Sequence, residues 1–294
     1  MFRGTYTALV TPFNNDQVDE ASFARLIEFQ IENGITGIVP VGTTGESPTL
    51  DYDEHIRVIK LAVQIAKGRC KVIAGTGSNS TAEAIALTKD AEKVGADAAL
   101  LVAPYYNKPT QEGLFRHFKA IADATVLPII LYSVPGRCVV EIAAETVVRL
   151  VAACKNIVAI KEAGGSVERV NQLRSVLPES FNVLSGDETL TLPFMACGAT
   201  GVISVASNVI PKQVGQMVQL FLKGDLVAAR NLHFQYYPIF KDLFIEPNPV
   251  PAKTALAWMG IIEKADVRLP LCEMSEANSK KLRKTLHQLG LFNG

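Results

Sequence analysis

Metal-ligand spacing is missing from this sequence. The four histidines (His55, His117, His233, His287) lie far apart and show neither HxH nor HExxH spacing, so no protein-bound metal is expected. Paired cysteines are missing too. Cys70, Cys138, Cys154, Cys197 and Cys272 form no CxxC motif, and their odd number and wide spacing favour free thiols in a reducing compartment. Net charge is absent, with 29 Lys plus Arg against 29 Asp plus Glu. That balance leaves no electrostatic footprint for nucleic acid or an anionic membrane surface, so any field acting on a substrate must be local to a site. No apolar run approaches the ~20 residues that span a bilayer. Met1-Phe2-Arg3-Gly4 enters strand-like sequence without the basic and apolar regions of a signal peptide, and a cytoplasmic protein is the expectation.

What is present is regular alternation. Strand-like runs start near Thr5, Gly37, Lys71, Ala98, Pro128, Ile157, Asn182 and Gly201, and a helix-like stretch follows each. Alternation of this kind implies parallel strands with crossover helices, and eight units predict an α/β fold, the closed (β/α)8 TIM barrel. Phe23, Leu26, Ile27 and Ile31 share one helix face, closed by Gly34. Asp51 to Glu54 and Ser80 to Glu83 both fit the capping box. After Lys223 only helical patterns remain: 225–244, then 252–264 beyond the proline-rich 246–251, then 275–290. The division expected is residues 1–224 as barrel and 225–294 as a C-terminal helical extension packed on it.

Within a barrel the loops after the strands build the active site. The run from Asn156 to Gly165 reads as a buried strand that delivers Lys161 where it runs out into glycines. Burial disfavours the ammonium, and a neutral amine condenses with a carbonyl to give a Schiff base. The ordinary alternative is a strand-end lysine that snorkels to solvent or pairs with a carboxylate. Gly42-Thr43-Thr44-Gly45-Glu46-Ser47 exposes backbone N–H groups and two hydroxyls, a cradle suited to a small carboxylate. It lacks the lysine of a phosphate loop. Two more strand ends carry Tyr105-Tyr106-Asn107 and Tyr132-Ser133-Val134-Pro135-Gly136-Arg137. A phenol passes protons, and a guanidinium forks onto a carboxylate.

GTTGES, PYYNKP, LYSVPGR, IKEAGG, LSGDE and GVISV stand in order along the chain. Over essentially its whole length the sequence resembles the dihydrodipicolinate synthase family, within the pyruvate-dependent class I aldolases that include N-acetylneuraminate lyase. The resemblance implies condensation of pyruvate with L-aspartate 4-semialdehyde in lysine biosynthesis through an imine on Lys161, with no cofactor. Tyr132 would shuttle protons, and Thr43 would link it to Tyr106 donated across a dimer interface. Thr44 would hold the pyruvate carboxylate, with Gly186 and the Ile203 carbonyl lining the pocket. Arg137 would orient the carboxylate of the semialdehyde. A homotetramer, a dimer of dimers, is implied.

Lysine inhibits some members, and Ser47, His55, Asn79, Glu83 and Tyr105 match that interface site, whereas Pro48 and Tyr52 depart from it. The capping box gives Glu83 a structural reason of its own. Ser133 replaces the family's usual Asn, and Cys138-Val139 its usual Thr-Gly. The alternative within the superfamily is an aldolase acting on a sialic acid or a 2-keto-3-deoxy sugar acid. Arg137 and Tyr106 favour the synthase.

Overall fold

Apolar strands that are covered on both faces stay parallel and buried, and here they close on themselves. The structure, a computed structural model, describes residues 2–292. The barrel strands are β1 (Gly4–Ala8), β2 (Gly37–Val39), β3 (Lys71–Gly75), β4 (Ala98–Val102), β5 (Ile129–Ser133), β6 (Ile157–Glu162), β7 (Asn182–Ser185) and β8 (Gly201–Ser204). Each pairs in parallel with its neighbours, and β1 joins both β2 and β8 to complete the closed barrel. At that seam the backbones touch. A Cβ on Gly201 would sit 1.9 Å from the Gly4 carbonyl oxygen, so only glycine fits.

Eight helices wrap the barrel: α1 (Glu20–Glu32), α2 (Tyr52–Ala66), α3 (Thr81–Lys93), α4 (Gln111–Ala122), α5 (Ala144–Ala153), α6 (Val167–Val176), α7 (Thr191–Ala196) and α8 (Pro211–Leu222). Three more follow: α9 (Leu226–Asp242), α10 (Val250–Trp258) and α11 (Glu276–Gln288). α9 packs on α8, and α11 packs on both α9 and α10. The fold is thus the TIM barrel with C-terminal helices. Among the described residues, no helix is long and apolar enough to cross a membrane, and no cluster of three His, Cys, Asp or Glu could hold a metal.

Local expectations held where the signal was local. The Asp51 to Glu54 box forms both of its reciprocal bonds. At Ser80 only half of the box forms: its hydroxyl accepts the Glu83 N–H at 3.4 Å. The Glu83 carboxylate instead takes the Ser78 hydroxyl at 2.5 Å, and the cap N–H of Ser80 donates to Ser78 Oγ at 3.0 Å. The last proline-flanked helix runs Val250–Trp258 rather than 252–264. Prolines cost nothing in a first turn, where the N–H has no partner anyway. A hairpin between β1 and α1 (Phe13–Asn14 with Gln17–Val18) was not anticipated. Its turn residues Asn15 and Asp16 both take positive φ, 51° and 63°, and Asn and Asp tolerate this best among residues with a Cβ.

The Cys138-Val139 departure has a structural consequence. Val139 ends a one-turn helix, Pro135–Cys138, with φ +64°, a left-handed conformation that a β-branched residue resists. Such strain costs about 1–3 kcal/mol, and glycine's larger unfolded-state entropy returns about 0.4–1 of that. Val139→Gly is therefore expected to stabilise the fold by roughly 1 kcal/mol. Thermal melts of both chains at equal concentration check this, and an unchanged or lower Tm would mean that Val139 packing outweighs its strain.

Candidate active site

At the C-terminal end of the barrel lies a cavity of about 580 Å³, lined by Thr43, Thr44, Tyr132, Arg137, Lys161 and Gly186 among others. The β5–β6 register pairs Tyr132 with Lys161 directly. The lysine is 5% exposed, and its Nζ lies 4.3 Å from the centroid of the Tyr132 ring. No carboxylate pairs with Lys161 among the described residues. The ring face is therefore its near electrostatic partner, which leaves the amine in the cavity with its chemistry unclaimed. Space around it is tight. A Cβ on Gly186 would lie 2.6 Å from the Ala163 Cβ and 3.0 Å from the Lys161 Cε, so a side chain there would push the lysine aside.

The loop after β2 tightens into a short 3₁₀ turn, with the Gly45 N–H donating to the Gly42 carbonyl at 3.0 Å. Thr44 is buried within it, and its Oγ1 accepts a hydrogen bond from Asn248 Nδ2 at 3.0 Å. A hydroxyl that accepts in this way keeps its own proton to donate. Glu46 ends the turn in a left-handed conformation, φ 55°. Its carboxylate meets Lys253 Nζ at 2.5 Å, with the lysine side chain 0% exposed. Burial pulls the Lys253 ammonium down to about 8, the largest influence on it, with Glu46 opposing.

Two of the expected residues stand apart. Ile203 is fully buried in β8, registered against Tyr6, and it is Val205, two places on, that lines the cavity. Tyr106 is 89% exposed at φ 71° and lies outside the cavity of its own chain. The departure Ser133 is fully buried and sits behind the cavity, accepting the Ile142 N–H at 3.5 Å.

Several residues of the site were missed. Asn248 brought only the prolines around it to notice. Asp187, Thr189, Lys241 and Phe244 also face the cavity. Glu188 is fully buried, and its Oε1 accepts from Ser204 Oγ at 2.9 Å, from the Ala206 N–H at 2.9 Å and from the Val205 N–H. Burial without a cation pushes its carboxyl pKa up. An acidic residue next to a glycine-led loop end was the available signal.

A second cavity, about 150 Å³, gathers Ser47, His55, Glu83 and Tyr105, together with the departures Pro48 and Tyr52. Asn79 braces it from outside, its Nδ2 donating to the Tyr105 carbonyl at 3.2 Å. His55 Nε2 lies 2.8 Å from the Gly75 carbonyl, and burial lowers its pKa. Between the two cavities a gap of about 30 Å³ is lined by Thr43 and Tyr132 on one side and Ser47 and Gly77 on the other.

Comparison with known proteins agrees over the whole chain. The model of the dihydrodipicolinate synthetase family matches residues 1–289. The 4-hydroxy-tetrahydrodipicolinate synthase of Methylacidiphilum fumariolicum SolV is 58% identical, covering 99% of this chain and 96% of that one, with a TM-score of 0.97. A chloride-inhibited dihydrodipicolinate synthase from Acinetobacter baumannii, complexed with pyruvate, is 46% identical over 99% of this chain and 100% of its own, TM-score 0.96. The enzyme of Cyanidioschyzon merolae with lysine bound is 41% identical over 99% of both chains, TM-score 0.96.

Proposed function

The chain belongs to the dihydrodipicolinate synthetase family, and from that premise we propose that its cavity condenses pyruvate with L-aspartate 4-semialdehyde through an imine on Lys161. The carrying observation is a buried amine over the Tyr132 ring with no carboxylate neutralising it. Pyruvate seats its carboxylate on the Thr44 hydroxyl, which Asn248 has already oriented. Lys161 adds to the ketone, and the hemiaminal loses water as Tyr132 delivers and removes protons. The protonated imine nitrogen is the electron sink: a methyl proton leaves, and the enamine carbon attacks the aldehyde. The amino group of the product then displaces Lys161, closes the ring and frees the enzyme. This chemistry calls on no further cofactor. Arg137, on the cavity wall, takes the carboxylate of the second substrate.

The exposed Tyr106 supports an assembly in which each chain completes the cavity of another, with Thr43 between that phenol and Tyr132. A homotetramer built from such dimers is the proposed state. Five free thiols suit a reducing cytoplasm. Lysine is proposed as an inhibitor in the second cavity. Its ammonium would meet Glu83, whose tie to Ser78 leaves the carboxylate at the cavity wall. The gap shared by Ser47, Thr43 and Tyr132 is the route by which that site reaches the catalytic one.

Four outcomes are expected. Borohydride added with pyruvate fixes a three-carbon adduct on Lys161, located by peptide mass mapping, and Tyr132→Phe slows turnover at least about 100-fold with the fold intact. An adduct on another lysine, or faster turnover of a sugar aldehyde than of aspartate semialdehyde, would refute the assignment. Lys161→Ala and Tyr106→Phe chains, each nearly inactive, regain activity when refolded together, since the mixed dimer carries one complete site. No recovery means that Tyr106 acts in no neighbour's cavity. Lysine depresses turnover of the wild type, and Glu83→Gln removes that effect while basal activity stays; unchanged inhibition in the variant would place lysine elsewhere.

A further inference from the structure

Directly behind Lys161, on the opposite face of β6, stands Glu162, fully buried and outside the cavity. Its Oε1 accepts the Gly164 N–H at 2.6 Å. Its Oε2 is buried and has no hydrogen-bond donor. The cation nearest to it is Arg169 of α6, with Nε 3.5 Å from that oxygen and itself lacking a hydrogen bond. The same Nε lies 3.7 Å from Glu141, and another guanidinium nitrogen, Nη2, donates to the Ile142 carbonyl. One fixed cation thus faces two carboxylates, one dry and one half-exposed. Burial, with the repulsion of Glu141 added and the Gly164 amide and Arg169 opposing, pushes the Glu162 carboxyl up to about 7.

These groups hold a particular segment. The Cβ position of Gly164 lies 2.7 Å from Glu162 Oε1, 3.4 Å from Pro135 Cγ and 3.6 Å from Glu141 Oε1, so the turn that begins at Pro135 rests on this surface. Arg169 holds the other end of the segment, at Glu141 and Ile142. Between these ends sits Arg137. It makes no ion pair among the described residues, so its place on the cavity wall depends on the backbone that carries it.

We propose that Glu162 is a positioning residue: as a carboxylate it fixes Arg169 and the turn at Pro135, and so sets where Arg137 meets the carboxylate of the second substrate. This inference rests on the assignment of Lys161 and Arg137 made above. Protonation of Glu162 loosens the Arg169 pairing, so fit to the second substrate weakens on the acid side while imine formation, on the other face of the strand, is unaffected. Stability runs the other way. An acid whose folded pKa is raised from 4.5 to about 7 destabilises the fold increasingly as pH rises through that window. The ionised form serves binding, and the protonated form is the more stable.

Glu162→Gln keeps the shape and removes the charge, which separates the two effects. In the variant, KM for the semialdehyde should rise about tenfold, as expected for a lost charge-assisted contact, and should no longer fall as pH is raised from about 6 to 8. Pyruvate imine trapped by borohydride should match the wild type, and the Tm at pH 8 should be higher than that of the wild type. Glu141→Gln, which removes the repulsion, should move the wild-type KM profile toward lower pH. A Glu162→Gln chain with the wild-type KM profile overturns the proposal, as does loss of imine formation in step with loss of turnover, or activity that falls only as Tm falls. Absence of imine on Lys161 in the wild type would instead overturn the functional assignment itself.

Discussion

The cavity wall depends on a contact between the loop after β2 and the C-terminal helices, the buried pair of Glu46 and Lys253. Taking two charges out of water costs several kcal/mol per ion, and the attraction between them repays this only when every remaining lone pair and proton is satisfied. Here they are. Lys253 also donates to the Asp266 carbonyl at 2.6 Å and lies 4.1 Å from the Phe13 ring centroid, while Glu46 Oε2 accepts the Arg268 N–H at 3.1 Å. Arg268 then forks onto Glu54 at the start of α2 and reaches Asp16 in the hairpin turn. The C-terminal helices are thereby locked onto the loop that carries Thr43 and Thr44. Asn248 comes with them and turns the Thr44 hydroxyl toward the cavity. The segment after the barrel thus builds one side of the site, with Phe240, Lys241, Phe244, Pro247 and Asn248 along it. Its geometry cannot be separated from the loop it grips.

Much of this was legible in the order of residues. A strand of Ile157–Glu162 can be recognised because apolar residues end abruptly in Ala163-Gly164-Gly165, and the lysine falls at the edge. Tyr132 is found in the same way, since Val134 and Pro135 stop its strand. Parallel pairing of consecutive strands then makes the two strands neighbours, and a register shift between Ile129 and Ile130 sets Tyr132 opposite Lys161. Alternation and strand ends therefore placed Lys161, Tyr132 and the threonine loop at one end of the barrel, while their roles came from the family resemblance. The short hairpin escaped because two-residue strands carry almost no periodic signal. The start of the proline-flanked helix escaped by two residues because proline was treated as an interruption, when in a first turn it is welcome.

What sequence reading could not reach were partners distant along the chain. Glu46 and Lys253 are 207 residues apart, and Thr44 and Asn248 are 204. No local pattern announces such a pair, and each residue taken alone has an ordinary surface explanation. Ile203 shows a different limit. Its side chain is buried in the barrel, and Val205, which lines the cavity two places on, has its N–H bound by Glu188. For Tyr106 the limit is of another kind again, because its surroundings in one chain are solvent.

Three buried acids share one placement. Glu46 follows Thr44 by two residues, Glu162 follows Lys161, and Glu188 follows Asp187. In each segment a residue that lines the cavity has a buried acid one or two places after it. The acids bind backbone N–H groups: Arg268 for Glu46, Gly164 for Glu162, Val205 and Ala206 for Glu188. Loops that leave parallel strands have more amide donors than the sheet can use, and a carboxylate is the side chain with room for several of them. The arrangement has a cost, since burial pushes both Glu162 and Glu188 toward the protonated form. A fold selected for stability alone would fill these positions with apolar residues. Keeping the carboxylates trades stability at neutral pH for loops that hold still around Lys161.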